Sequence, residues 1–88
     1  MSGDPTNQAA ALALQALAAT IADQRLAERF LSLSGLTPPD LRQKAADPAL
    51  LAALLRFLES HEPDLLSVAD EIGTSPGELV RARCTLEA

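Results

Sequence analysis

In an 88-residue chain with one histidine, one cysteine and neither tryptophan nor tyrosine, reactive chemistry has few places to reside. His61 lies near Glu59, Glu62 and Asp64, and imidazole with carboxylate oxygens can ligate zinc. No second histidine or paired cysteine completes such a set. The pattern reads instead as a histidine at a helix end, where it interacts favourably with the last carbonyls. Cys84 could serve as a nucleophile only beside a base, and His61 is the sole histidine, so Cys84 is expected to be buried as a small apolar side chain. The glycines Gly3, Gly35, Gly73 and Gly77 build no phosphate loop and no nucleophile elbow. No catalytic, cofactor-binding or metal residue is assigned, and the expectation is a non-enzyme without a cofactor.

The segment 63–86 has the local shape of a helix-turn-helix, with Ile72-Gly73, a Thr74-Ser75-Pro76 turn and then Leu79-Val80. Its charges oppose that use. A DNA reader sets Arg or Lys along its second helix, whereas Glu59, Glu62, Asp64, Asp70, Glu71 and Glu78 stand here with no basic residue between Glu59 and Val80. Arg81 and Arg83 are two positions apart and do not share a helix face. A net charge of -5 also works against nucleic acid and anionic membranes. DNA binding is the alternative reading; nucleic acid is not an expected partner.

The remaining cations fall mostly in the first half, at Arg25, Arg29, Arg42 and Lys44. Arg56 interrupts an otherwise apolar run, so it must reach solvent past its own stem or pair with a carboxylate such as Glu59 or Glu62. Arg56, Arg42 and Arg29 together form the candidate interaction surface, facing an unknown protein partner or a second copy of the chain.

Helices must position these groups. The chain is 48% hydrophobic with only Phe30 and Phe57 as aromatics, so its core is built from Leu and Ala, and no alternating run suggests a strand. Five of the six prolines follow a possible N-cap: Asp4-Pro5, Thr37-Pro38, Asp47-Pro48, Glu62-Pro63 and Ser75-Pro76. Ser75 with Glu78, and more weakly Thr37 with Asp40, resemble capping boxes. A further start lies at Asp23, and Gly35 and Gly73 are placed to close helices in the left-handed conformation.

Six helices are predicted: Pro5 to Ala22, Gln24 to Ser34, Pro38 to Ala46, Pro48 to Ser60, Pro63 to Ile72 and Pro76 to Leu86. The first is expected to bury Ala10, Leu14, Leu17 and Ile21, and the second Leu26, Phe30 and Leu33. The third anchors through Leu41 and Ala45. The fifth offers Leu65, Leu66, Val68, Ala69 and Ile72, and the sixth Leu79, Val80, Ala82, Cys84 and Leu86. In the fourth, every residue from Ala49 to Leu58 except Arg56 is apolar, which predicts a central helix with the others wrapped around it.

At Arg29-Phe30-Leu31, Gly35-Leu36, Leu41-Arg42, Asp47-Pro48 and the Leu54-Leu55-Arg56-Phe57-Leu58 run with Glu62, the chain resembles a family of short alphaproteobacterial proteins known as a domain of unknown function. The resemblance covers nearly the whole chain. It implies a compact helical bundle, and no activity or site residue can be carried over from it.

These readings converge on an all-α single domain over residues 1–88, with 1–3 and 87–88 frayed. The apolar run from Ala9 to Ala22 lacks the basic flank of a signal peptide and is shorter than the roughly 20 residues of a membrane span. A lone thiol fits a reducing compartment. The expectation is a cytoplasmic protein with no membrane partner, acting as a non-enzymatic protein–protein interaction module.

Overall fold

The computed structural model describes residues 4–88, so the expected fraying of 1–3 lies outside the described residues. Among the described residues six helices follow one another: α1 (Pro5–Ala22), α2 (Gln24–Ser34), α3 (Pro38–Lys44), α4 (Pro48–Glu59), α5 (Glu62–Glu71) and α6 (Pro76–Glu87). The chain is all-α, as its Leu/Ala composition and proline punctuation require.

Local chemistry sets the starts. Asp4, Asp23 and Asp47 each accept a backbone N–H of the first turn through their side chains, and Pro5 and Pro48 occupy the first position, where no N–H is needed. Thr37 and Asp40 form a reciprocal capping box: Asp40 N–H donates to Thr37 Oγ1 at 3.3 Å, and Thr37 N–H donates to Asp40 Oδ2 at 3.1 Å. At α6, Ser75 Oγ accepts from Glu78 N–H, but the Glu78 carboxylate turns to Arg81 instead of returning a bond. The box expected as weaker is the complete one. Gly35 and Gly73 end their helices at φ 74° and 73°, in the region that an L side chain resists.

Several boundaries move. α3 stops at Lys44, two residues short of the expected end, and α4 stops at Glu59 with Ser60 as its cap. α5 starts at Glu62, with His61 as an N-cap that makes no side-chain capping bond, so His61 opens a helix rather than closing one. α6 continues through Glu87, one residue past the expected end, and the Glu87 carboxylate is held by two arginines.

α4 sits at the centre. Leu51, Leu54, Leu55 and Leu58 are fully enclosed, and past the helix start at Pro48 the exposed residues are the stripe Ala49, Ala53 and Arg56. α1 and α6 pack on α4 and even more extensively on each other, α5 closes against α4, α1 and α6, and α2 lies on α1. Phe30 of α2 meets Phe57 of α4 in a tilted pair with ring centroids 5.3 Å apart, favourable aromatic geometry.

α1 turns its small residues inward. Its buried face is Ala9, Ala13, Ala16, Leu17 and Thr20, and the alanines let α4 and α6 approach closely. Thr20 is fully buried and satisfied, its hydroxyl donating to the Ala16 carbonyl at 2.8 Å. Leu14 and Ile21, expected in the core, lie about 100° around the helix from this face and are 45% and 42% exposed. Leu33 (74% exposed), Leu66 and Cys84 also lie outside the core in which they were expected. For Cys84 the reason is rotation, because α6 buries Leu79 and Ala82 and residue 84 falls on the other side.

Candidate functional site

The three candidate arginines occupy three different settings. Arg29, on α2, donates to Asp64 Oδ2 of α5 at 2.8 Å, and its guanidinium lies 5.4 Å from the centre of the Phe57 ring. Asp64 is buried, so this pair holds a carboxylate that would otherwise stand uncompensated in the packed interior. The contact with the ring adds a cation–π attraction. Arg29 thereby fastens α2 to α4 and α5.

Arg56 does not pair with Glu59 or Glu62. It reaches the end of α6 and grips both carboxylate oxygens of Glu87, with Nη2 3.0 Å from Oε1 and Nε bonded to Oε2. Glu87 also accepts from Arg83 Nη1 at 2.7 Å, and Arg83 Nε donates to Glu59 of α4. Two arginines and two glutamates thus lock α6 along α4. The bonds from Arg56, and then from Arg83, hold the Glu87 carboxyl below its ordinary pKa. Glu87 in turn raises Arg56, and Glu59 foremost raises Arg83.

Arg42 is different. It stands exposed on α3 with no ion-pair partner among the described residues; Arg25 on α2 and Lys44 on α3 are likewise exposed and unpaired there. It lines a groove of about 570 Å³ between α1, α2 and α3, where it is the one charged side chain among Leu14, Leu17, Ile21, Leu31, Leu41 and smaller apolar residues. Such a volume falls within the usual range of roughly 300 to 1,000 Å³ for binding clefts. α3 packs only lightly on the rest of the bundle, so the groove has two firm walls and one thin one.

Local sequence explains this construction. The Ala face of α1 is used up inside the bundle, which leaves Leu14 and Ile21, a turn pair seven residues apart, on its flank. The Gly35 turn ends α2, and the Thr37 capping box restarts the chain as α3, bringing Leu41 and Arg42 opposite that flank. Leu14, Ile21 and Leu31 were absent from the sequence-derived candidates. The available signal was the Ala9/Ala13/Ala16/Thr20 ladder at helical spacing, a small-residue face able to compete with the leucines for the interior.

Around His61, Glu59, Glu62 and Asp64 no convergence occurs. Glu59 and Asp64 are engaged by Arg83 and Arg29, and among the described residues no three His, Cys, Asp or Glu side chains come together in a way that could hold a metal ion. Every buried side-chain nitrogen and oxygen among them has a hydrogen-bond partner. Among the described residues, no helix is long and apolar enough to cross a membrane.

A family model described as "Protein of unknown function (DUF3572)" matches residues 6–88, and the chain belongs to that family. No curated protein and no solved structure matches it.

Proposed function

We propose that this member of the DUF3572 family is a non-enzymatic protein–protein interaction module that binds through the groove between α1, α2 and α3. The observation carrying this reading is the placement of Leu14 and Ile21: two large aliphatic side chains stand nearly half exposed beside a cleft whose other walls are also apolar. Apolar side chains that adjoin across a concave groove offer a partner more contact than the singly exposed Leu33 and Leu66 do. A cytoplasmic setting belongs to the same proposal, since a lone exposed thiol, Cys84, fits a reducing compartment.

The helix-turn-helix alternative over α5 and α6 has weaker support, because Arg83 is occupied by Glu59 and Glu87, and Arg81 is paired with Glu78. Duplex binding in a low-salt gel shift, lost on Arg81→Ala, would favour it over the groove.

The interaction reading is tested by light scattering across a concentration series together with crosslinking capture, each run on the wild type and on Ile21→Glu. The expected result is an associated species, homomeric or heteromeric, formed by the wild type and lost in the variant. A wild type that stays monomeric, and captures the same proteins as Ile21→Glu, overturns it.

A further inference from the structure

We infer that the occupant of the groove is an amphipathic helix of a partner protein that places a carboxylate against Arg42. The inference rests on the interaction-module reading and adds the chemistry of the partner.

Shape comes first. The flank of α1 from Leu14 to Ile21 runs for about 10 Å, or two helical turns, at 1.5 Å per residue. Leu31 and Leu41 face it from α2 and α3, and Ala18 lies between Leu14 and Ile21, giving room for another backbone to approach. A cleft of this length, aliphatic on its sides and open along its top, suits a helix that lays apolar residues at i, i+4 and i+7 into it.

Charge then selects among such helices. Arg29, Arg56, Arg81 and Arg83 all have carboxylate partners within the chain, whereas Arg42 at the groove has none among the described residues. An apolar groove lined at one point by an unpaired guanidinium is complementary to an apolar helix face that carries an Asp or Glu, and the planar fork of arginine favours a carboxylate. The overall charge of -5 makes the rest of the partner neutral or basic, because additional acid would be repelled.

A second copy of the chain fits less well. In a twofold pairing of grooves, each Arg42 would meet a lining that contains no carboxylate.

The test uses fluorescein-labelled, hydrocarbon-stapled helical peptides of twelve residues with Leu at i, i+4 and i+7 on an Ala/Gln background. One version carries Glu at the end of the apolar strip, and its counterpart carries Gln there. In fluorescence anisotropy the Glu peptide should bind the full chain about threefold to fivefold more tightly, the scale of one exposed charge-assisted pair. That advantage should disappear in Arg42→Gln, and both peptides should lose binding to Ile21→Glu, with Leu14→Glu as a second variant should the first fail to fold by circular dichroism. Equal affinity of the two peptides, with binding still lost in Ile21→Glu, overturns the carboxylate inference and leaves the interaction module standing. Failure of both peptides to bind overturns the helical occupant. An Ile21-dependent dimer in light scattering, which the peptides do not dissolve, assigns the groove to a second copy and overturns the heterologous partner.

Discussion

At the α4–α6 seam, Arg56 and Arg83 are satisfied within the chain by Glu87 and Glu59, and the side chains beneath them, Leu51, Leu55 and Leu58, are enclosed. At the α1–α2–α3 groove, Arg42 has no such partner, and Leu14 and Ile21 beside it remain in contact with water. One side of the molecule has completed its interactions internally, and the other holds both an apolar strip and a cation in reserve. The difference teaches where to look for a binding surface: an unpaired arginine is informative when it also lines an apolar groove, as Arg42 does.

The contrast breaks most severely if the enclosed side is not a true core. Leu54→Ala should destabilise the chain by about 2 to 5 kcal/mol in urea unfolding, the cost of removing buried methyl groups and leaving a cavity. A loss below about 0.5 kcal/mol would be surface behaviour and would remove α4 from the centre. Next in size is Arg29→Met, which strips Asp64 of its partner. Leaving a buried polar group unsatisfied costs about 1 to 3 kcal/mol, and the Asp64 carboxylate places this change toward the upper end, moderated by the half-exposed guanidinium. The companion change Asp64→Asn should recover part of that loss, and strict additivity in the double-mutant cycle would show that the pair is not coupled. Smaller again is Gly35→Ala. Nothing crowds the added methyl group, so the penalty of about 1 kcal/mol comes from φ 74° alone.

Acid sharpens the seam. The Glu87 carboxyl titrates lower in the folded chain than in the unfolded one, so unfolding takes up a proton in acid. Its contribution is therefore fully present above the ordinary carboxylate value near about 4.3 and fades as pH falls through the lowered folded value. The stability difference between wild type and Glu87→Gln should close over that window in a pH series of thermal melts. A difference that is constant from neutral pH to well below it would show that the network adds nothing through the charge of Glu87.

The caps and helix starts were legible because their causes are local: an aspartate, threonine or serine beside a proline settles its own first turn. The failures share a different cause. Arg56 was matched to carboxylates three and six residues away, but its partner Glu87 is 31 residues along the chain and is delivered by the packing of α6 on α4. Leu14 and Ile21 were read as core because they recur with Ala10 and Leu17 at helical spacing. Which face of α1 turns inward is set by how closely α6 and α4 approach, and close approach favours Ala9, Ala13 and Ala16. Arg42 could be named from the sequence, but its isolation could not, since that depends on where every carboxylate ends up.

The smallest expected effect is also the one that separates the two faces of α1. Leu17→Ala, at a buried position, should cost about 2 kcal/mol or more. Leu14→Gln and Ile21→Gln, at half-buried positions on the groove flank of the same helix, should each cost about 1 kcal/mol or less. Both classes of site carry large aliphatic side chains within one helical segment, so propensity and hydropathy do not account for such a split. Only the orientation of α1 does. If Ile21→Gln destabilises as strongly as Leu17→Ala, the flank is core after all, and the loss of binding assigned to groove variants would follow from unfolding. If it is neutral while peptide binding falls, the fold has kept Ile21 for something outside itself.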